Sequence, residues 1–309
     1  MPIYLREQDA TEFADMRTVV AVLRTTLAAQ ANGSAVNVPR RRLDFGKGRL
    51  NVMAGGSAAS SRYVVKCYGS SAHHMLLYST DGGLLAIMEA GGLGAIRTGA
   101  ASAVATEVMA RRDAGRIGLI GAGRQARTQI LALRAIGIGT EVAAFARDQS
   151  KLKIFCKQLQ TEAGLPVWEA ASAQDAVRRA DIVITATTSD TPVLMNAWLA
   201  PGAHVNAMGA NAANRRELDP EIVLRASLIV TDDIAQAKVE AAELIDLAQA
   251  GRLDWEKVVP LCRLAGLPGT SRDQNAITLF KSLGIGLEDL AIASVVYDRA
   301  MASGRFKPL

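Results

Sequence analysis

Ile117-Gly-Leu-Ile-Gly121-Ala-Gly123-Arg124-Gln125-Ala126 is the stretch that decides the fold of this chain. A short apolar run, Ile117 to Ile120, meets Gly121-x-Gly123-x-x-Ala126, and a helical pattern follows. The order carries the meaning. Gly121 permits a tight turn, Gly123 lets a pyrophosphate approach the backbone, and Ala126 allows the helix to pack closely on the strand. The helix N-terminus then offers unpaired N–H groups and a partial positive charge to phosphate. Strand, glycine turn and helix together predict a dinucleotide site built on Gly121, Gly123, Arg124 and Gln125.

The next strand, Glu141-Val-Ala-Ala-Phe145, ends where an NAD-binding chain usually carries Asp or Glu for the ribose 2′-OH. Ala146 stands there instead, followed by Arg147. A guanidinium without a carboxylate suits a 2′-phosphate, which Arg can hold bidentately. NADP is therefore the preferred cofactor and NAD the other candidate. The competing readings make Asp148 the acidic residue after a local shift, or leave Arg147 as a solvated loop residue.

Outward from this motif, residues 116–231 alternate strand and helix. Strands at 117–120, 141–146, 166–168, 181–187, 203–208 and 227–231 are separated by helices at 124–136, 149–163, 173–179, 194–199 and 219–225. That rhythm predicts a doubly wound parallel sheet, the Rossmann arrangement. The preceding part reads differently. A helix over 9–31 is followed by short runs at 36–38, 50–53, 62–67, 74–79 and 84–89, with the hairpin signal Asp81-Gly82-Gly83. This predicts a mostly antiparallel sheet. A small-residue helix is expected from Arg97 to Arg111, and a last helix from about Leu287 to Met301. The fold class is thus α/β: a Rossmann domain over 113–284 and a smaller α+β domain over 1–112 and 285–309.

The bulk properties narrow the function. The chain has 309 residues, half of them hydrophobic, and a net charge of +5. Its basic residues are dispersed apart from Arg40-Arg41-Arg42, with no interleaved aromatic residues, so an anionic substrate and a phosphorylated cofactor explain the charge better than nucleic acid. No apolar run approaches the roughly 20 residues of a membrane span, and the N-terminal residues lack the pattern of a signal peptide. The three cysteines, Cys67, Cys156 and Cys262, are scattered without C-x-x-C spacing, which suits a reducing cytoplasm. His73, His74 and His204 show no metal-ligand spacing, and no metal is expected.

Several further residues could carry chemistry. Lys66 sits late in the apolar strand Tyr63-Val-Val-Lys-Cys67, where it must face solvent or be held by a partner. Arg40 follows Pro39 before a strand, and Arg97-Thr98 would open a helix, where a cation opposes the dipole and implies an anion nearby. Thr187, Thr188 and Ser189 end one strand of the parallel sheet, and Asn206 to Glu217 span the end of the next and its polar loop. Strand C-terminal ends line the ligand crevice of such sheets. Taken singly, each has an ordinary structural explanation.

Taken together they resemble a known family. Ser61-Arg-Tyr-Val-Val-Lys66, Leu84-Leu-Ala-Ile-Met-Glu89, Ala95-Ile-Arg97-Thr98-Gly-Ala-Ala-Ser102-Ala, Gly121-Ala-Gly123-Arg-Gln125-Ala126, Pro201-Gly-Ala-His204-Val-Asn206-Ala-Met-Gly209, Arg216-Glu217-Leu218-Asp219 and Thr278-Leu-Phe280-Lys281-Ser282-Leu-Gly284 are similar to the ornithine cyclodeaminase/mu-crystallin family. The resemblance runs in order over nearly the whole chain. It implies a homodimer formed through the N-terminal sheets. It also implies that Arg40, Lys66 and Arg97 grip a substrate carboxylate, with Lys66 placed for proton transfer and Arg97 also against the cofactor. Ser71, Thr187 and Ser282 are implied as further cofactor contacts, and Arg147 matches the basic residue of NADP-using members.

The departures matter as much. The cyclodeaminases carry a catalytic Asp where this chain has Asn211, a Glu where it has Asn51, and an Asp at each of Ala146 and Lys281. An amide does not act as a general base. The expectation is therefore an NAD(P)H-dependent oxidoreductase acting on a small α-imino acid, or on the matching amino acid in reverse, with Asn211 hydrogen-bonding without titrating. The alternatives are ornithine cyclodeamination with catalytic NAD, and a non-catalytic protein that binds NADP and a small ligand.

Overall fold

The computed structural model describes residues 2–267 and 273–306. In chain order the first elements are β1 (Ile3–Leu5), α1 (Glu7–Phe13), α2 (Met16–Ala31), β2 (Ala35–Phe45), β3 (Gly48–Ser57), β4 (Arg62–Tyr68), β5 (His73–Ser79), β6 (Leu84–Glu89) and α3 (Leu93–Met109). Then follow β7 (Arg116–Ile120), α4 (Arg124–Ala135), β8 (Glu141–Phe145), α5 (Gln149–Ala163), β9 (Val167–Glu169), α6 (Ala173–Val177), β10 (Ile182–Thr185) and β11 (His204–Ala207). The last are α7 (Pro220–Arg225), β12 (Leu228–Thr231), α8 (Ile234–Glu240), α9 (Ala242–Gln249), β13 (Val258–Pro260), β14 (Thr278–Lys281) and α10 (Gly286–Ala302). The chain divides into two compact units, Met1–Ala101 with Gly284–Leu309, and Ser102–Leu283. The division falls inside α3, eleven residues before the boundary read at 112/113.

Unit 1 is a sheet of order β1-β6-β5-β4-β3-β2, antiparallel except for the β1–β6 pair. The helix expected over 9–31 is two helices, because the Asp15 carboxylate accepts Thr18 N–H at 2.9 Å and starts α2 afresh. The strands expected at 36–38 and 50–53 are longer, since the hairpin continues through Leu43↔Leu50 to Phe45↔Gly48. A bulge between Val38 and Arg41 interrupts that ladder at Pro39-Arg40. A bulge turns one side chain out of the alternation, and Arg40 is accordingly 6% exposed while Val38 on the same strand is 47% exposed.

Unit 2 is an eight-stranded sheet, β13-β12-β14-β11-β10-β7-β8-β9, with every pairing parallel. Its strands are continuous apolar runs, such as Ile182 to Ile184, as a sheet covered on both faces requires. Ile120, Val183, Val205, Ile222 and Leu279 meet in one core cluster, and each such side chain contributes about 1.5–3 kcal/mol on burial. The helix expected over 194–199 is a single 3₁₀ turn, Asn196–Trp198, because Val193 and Leu194 give their N–H groups to the Glu217 carbonyl and Leu194 pairs with Leu218. Beyond residue 231 the structure adds α8, α9, β13 and β14, and β14 lies between β11 and β12. Among the described residues no helix is long and apolar enough to cross a membrane, and no group of three or more His, Cys, Asp or Glu could hold a metal ion.

Candidate active site

Unit 2 forms a cavity at the carboxyl ends of its strands. The chain leaves β7 through Gly121, whose φ of +122° belongs to glycine and whose Cβ, if present, would collide with the Ala186 carbonyl. Gly123 caps α4 without a side-chain acceptor, and the space around it is open. Ala126 is fully buried on the first turn. The start of α4 therefore keeps its N–H groups and positive dipole end available to an anion. A cavity of about 610 Å³ follows, lined by Gly121 to Gly123, Phe145 to Asp148, Lys151 and Thr187 to Ser189 among others. A glycine turn, an apolar platform and cations at one end fit a dinucleotide.

The rim bears on the choice of dinucleotide. Arg147 and Lys151 both line the cavity, and no carboxylate stands at Ala146. Asp148 also lines it, but its Oδ1 accepts Lys151 N–H at 3.0 Å as the cap of α5, and its Oδ2 lies 3.3 Å from Lys151 Nζ. The Lys151 backbone N–H, ahead of its side chain, holds this carboxyl below the usual carboxylate range. Asp148 is thus engaged as a helix cap. Arg124 is exposed and Gln125 half-buried at the start of α4, outside the cavity lining. The hydroxyl of Thr187 donates to Glu217 Oε1 at 2.7 Å and accepts Ser189 N–H at 3.2 Å, so it points into the protein. Ser282 is buried at the end of β14 and donates to Asp232 Oδ2 at 3.2 Å.

Unit 1 gathers the predicted cations. Lys66 on β4, Arg97 on α3 and Arg40 in the bulge are 4%, 6% and 6% exposed. Lys66 Nζ lies 3.0 Å from Asp289 Oδ1, which also accepts Arg97 Nε at 3.0 Å, and Arg97 Nη1 donates to Glu288 Oε2 at 2.5 Å. Arg40 donates to the Gly284 carbonyl at 3.0 Å, with its Nε 3.4 Å from Met53 Sδ. Glu288 and Asp289 sit in the first turn of α10, where the dipole favours negative charge. Three cations and two carboxylates thus meet in a cluster almost wholly removed from water. Burial pushes the Lys66 ammonium down to about 8, with Arg97 and Arg40 adding to the shift and Asp289 opposing it.

One expectation changes here. Arg97 does not open its helix: α3 begins at Leu93, and the Glu7 carboxylate accepts the N–H groups of Gly91 and Gly92 just before it. The anion near Arg97 is the pair Glu288 and Asp289, which the sequence shows only as the start of a helix. Ser71 lies exposed in the turn between β4 and β5 of unit 1. Asn51 is buried on β3 and donates to the Tyr68 carbonyl at 3.2 Å. Asn211 is half-buried in the loop after β11. Glu217 was visible only as part of a matching run, yet its carboxylate is fully buried.

The comparisons with known proteins agree with this geometry. The family model described as the ornithine cyclodeaminase/mu-crystallin family matches residues 3–304. Ketimine reductase mu-crystallin of Mus musculus is 31% identical over 84% of this chain and 82% of its own. The structure of Thermococcus litoralis Delta(1)-pyrroline-2-carboxylate reductase, in complex with NADH and L-proline, superposes with a TM-score of 0.94 at 28% identity, covering 99% of this chain and all of that one. An archaeal alanine dehydrogenase dimer with bound NAD gives 0.92 at 28% identity, covering 100% and 98%. This chain belongs to the ornithine cyclodeaminase/mu-crystallin family.

Proposed function

We propose that this protein is an NAD(P)H-dependent oxidoreductase that reduces a small α-imino acid, with cyclic ketimines such as pyrroline- or piperideine-2-carboxylate as its substrates. Oxidation of the matching amino acid is the reverse reaction. The observation that carries this reading is the buried cluster that brings Arg40, Lys66 and Arg97 together beside Glu288 and Asp289. A substrate carboxylate suits such a gathering of cations, and guanidinium groups fix its orientation. Relatives in the same family, a pyrroline-2-carboxylate reductase, a ketimine reductase and an alanine dehydrogenase, support the substrate class.

A bound reduced nicotinamide supplies the hydride. Arg40 and Arg97 hold the carboxylate, converting binding into alignment of the α-carbon. Lys66, with its pKa near 8, holds or delivers the proton at the imine nitrogen. A group of that pKa is mostly protonated at neutral pH and still gives its proton up readily, which an ordinary lysine does not. Asn211 hydrogen-bonds without titrating. Asn211 and Asn51 stand where the cyclodeaminase reaction calls for carboxylates, which argues against ornithine as substrate.

NADPH is preferred to NADH in this reading, because Arg147 faces the cavity where an NAD site has an acid and Asp148 is occupied as a cap. The protein acts as a homodimer in the cytoplasm. Val36, Val38, Leu43, Phe45, Leu50 and Tyr63 are exposed on β2 to β4, an apolar surface suited to a second copy, and the archaeal alanine dehydrogenase relative is a dimer. Cys67, Cys156 and Cys262 are free thiols, as in a reducing compartment. The test is consumption of NADPH and of NADH against a panel of cyclic imines, alongside ammonia release from L-ornithine. Imine-dependent NADPH consumption is expected. Ammonia and proline from L-ornithine, at enzyme-like rates of roughly 1–10³ s⁻¹, would overturn the reading.

A further inference from the structure

Glu217 is buried to 0% exposure, and its carboxylate is wired into two separate turns of unit 2. Its Oε1 accepts the backbone N–H and the hydroxyl of Thr187, each at 2.7 Å. Its Oε2 accepts Thr185 Oγ1 at 3.0 Å, Gly209 N–H at 2.6 Å and Ala210 N–H at 3.3 Å. One side chain thus joins the turn that leaves β10 to the turn that leaves β11. The two turns approach so closely that a Cβ on Gly209 would collide with the Thr187 carbonyl and with Glu217 itself. The backbone of Glu217 is fixed as well. Its carbonyl accepts Val193 and Leu194 N–H, and its N–H donates to Glu243 Oε1 at 2.9 Å. Glu243 in turn is ion-paired with the fully buried Lys281 at 3.1 Å.

What lies on the far side of these contacts is the cavity. Thr187, Thr188, Ser189, Thr191 and Val193 form one wall of it, and the loop after Ala210 carries Asn211. Thr187 spends its hydroxyl and its N–H on Glu217, so the wall is held from behind and presents its remaining groups to the ligand.

We propose that Glu217 is a positioning residue for the reaction: a buried carboxylate that sets the cavity wall at Thr187–Ser189 and the Asn211 loop at a fixed spacing. This rests on the reading of the unit 2 cavity as the dinucleotide site. Glu217→Gln replaces one oxygen by NH₂, which must then face either Thr187 N–H or the N–H groups of Gly209 and Ala210. A donor meeting a donor in a buried site opens one of the two junctions.

The experiment measures NADPH affinity by fluorescence titration, and kcat and KM for imine reduction, in the wild type, Glu217→Gln, Thr185→Val and Ile229→Ala. Thr185 ends β10, does not line the cavity and gives its hydroxyl to Glu217, so its loss tests the Glu217 contact without altering the lining. Ile229 is a core residue of β12 away from both turns and serves as a control for lowered stability alone. The expected result is a rise in Kd of roughly tenfold to a hundredfold for Glu217→Gln, the range for a lost charged hydrogen bond. Thr185→Val should give a smaller rise in the same direction, and Ile229→Ala a lower Tm with unchanged Kd. If Glu217→Gln does not fold, Thr185→Val alone decides the matter. Wild-type affinity in both pin variants, or an equal loss in Ile229→Ala, overturns the proposal. No binding of either dinucleotide by the wild type overturns the cofactor reading itself, and this proposal with it.

Discussion

The cation cluster of unit 1 and the cavity of unit 2 are built on charge in opposite ways. The cluster of unit 1 uses ionised side chains, almost wholly removed from water and paired with one another: Lys66 and Arg97 on Asp289, Arg97 on Glu288. The cavity of unit 2 uses backbone: a glycine turn, the bare start of α4 and an apolar platform, with Arg147 and Lys151 only at the rim. Buried ion pairs are costly to assemble and costly to break, so the first region is rigid and intolerant. A helix N-terminus needs no such pairing, so the second tolerates change and expresses its preferences at its edge. Fixed charge suits a small substrate whose carboxylate and nitrogen must be aligned. An open backbone cradle suits a large cofactor held at many points.

This contrast predicts graded effects. Lys66→Met should act most strongly, lowering kcat by roughly a hundredfold to ten-thousandfold, the usual contribution of a positioned general acid. Dinucleotide affinity should be retained. Normal turnover in steady-state assays would mark Lys66 as an ordinary strand residue. Arg97→Met should cost about 3–5 kcal/mol of stability, because it removes a buried ion-pair partner from both Glu288 and Asp289. Thermal or denaturant unfolding checks this, and an unchanged midpoint would mean the cluster is not the coupled unit described. KM for the imine should rise steeply in the same variant.

The same contrast decides what could be read in advance. The cradle is local: Gly121 to Ala126 are neighbours in sequence, and their meaning survives without knowledge of the rest. The rhythm of strands and helices was legible as far as residue 231 for the same reason. The cluster is not local. Lys66 meets Asp289 across 223 positions and Arg97 meets Glu288 across 191, so no spacing rule connects them. Lys66 posed a question that sequence could state, which partner holds it, but could not answer. Arg40 turns inward only because a bulge breaks the alternation at Pro39-Arg40. The insertion of β14 between β11 and β12 likewise depends on packing that periodicity does not encode.

At the rim of the cavity the effect should be smaller and selective. Arg147→Ala should weaken NADPH by roughly ten- to a hundredfold, for the loss of about 1.5–3 kcal/mol of charged hydrogen bonding, and leave NADH nearly unchanged. Equal weakening of both in a fluorescence titration would sink the NADP preference. Smallest of all should be Asp15→Ala, which removes the cap of α2 and its 3.4 Å contact with Arg299. A loss of about 1 kcal/mol in denaturant unfolding is expected, with kcat and KM unaltered. A loss as large as that of Arg97→Met would erase the distinction between local caps and the long-range cluster.

The central claim is that Lys66, tuned by burial among Arg40, Arg97 and Asp289, handles the proton of imine reduction. Its most direct test is the pH dependence of kcat/KM for NADPH-driven reduction of pyrroline-2-carboxylate. The protonated amine is the active form, so the rate should be level below a midpoint near 8 and fall about tenfold per pH unit above it. A profile that stays flat through that region, or falls only near the ordinary lysine value of 10.5, would contradict it.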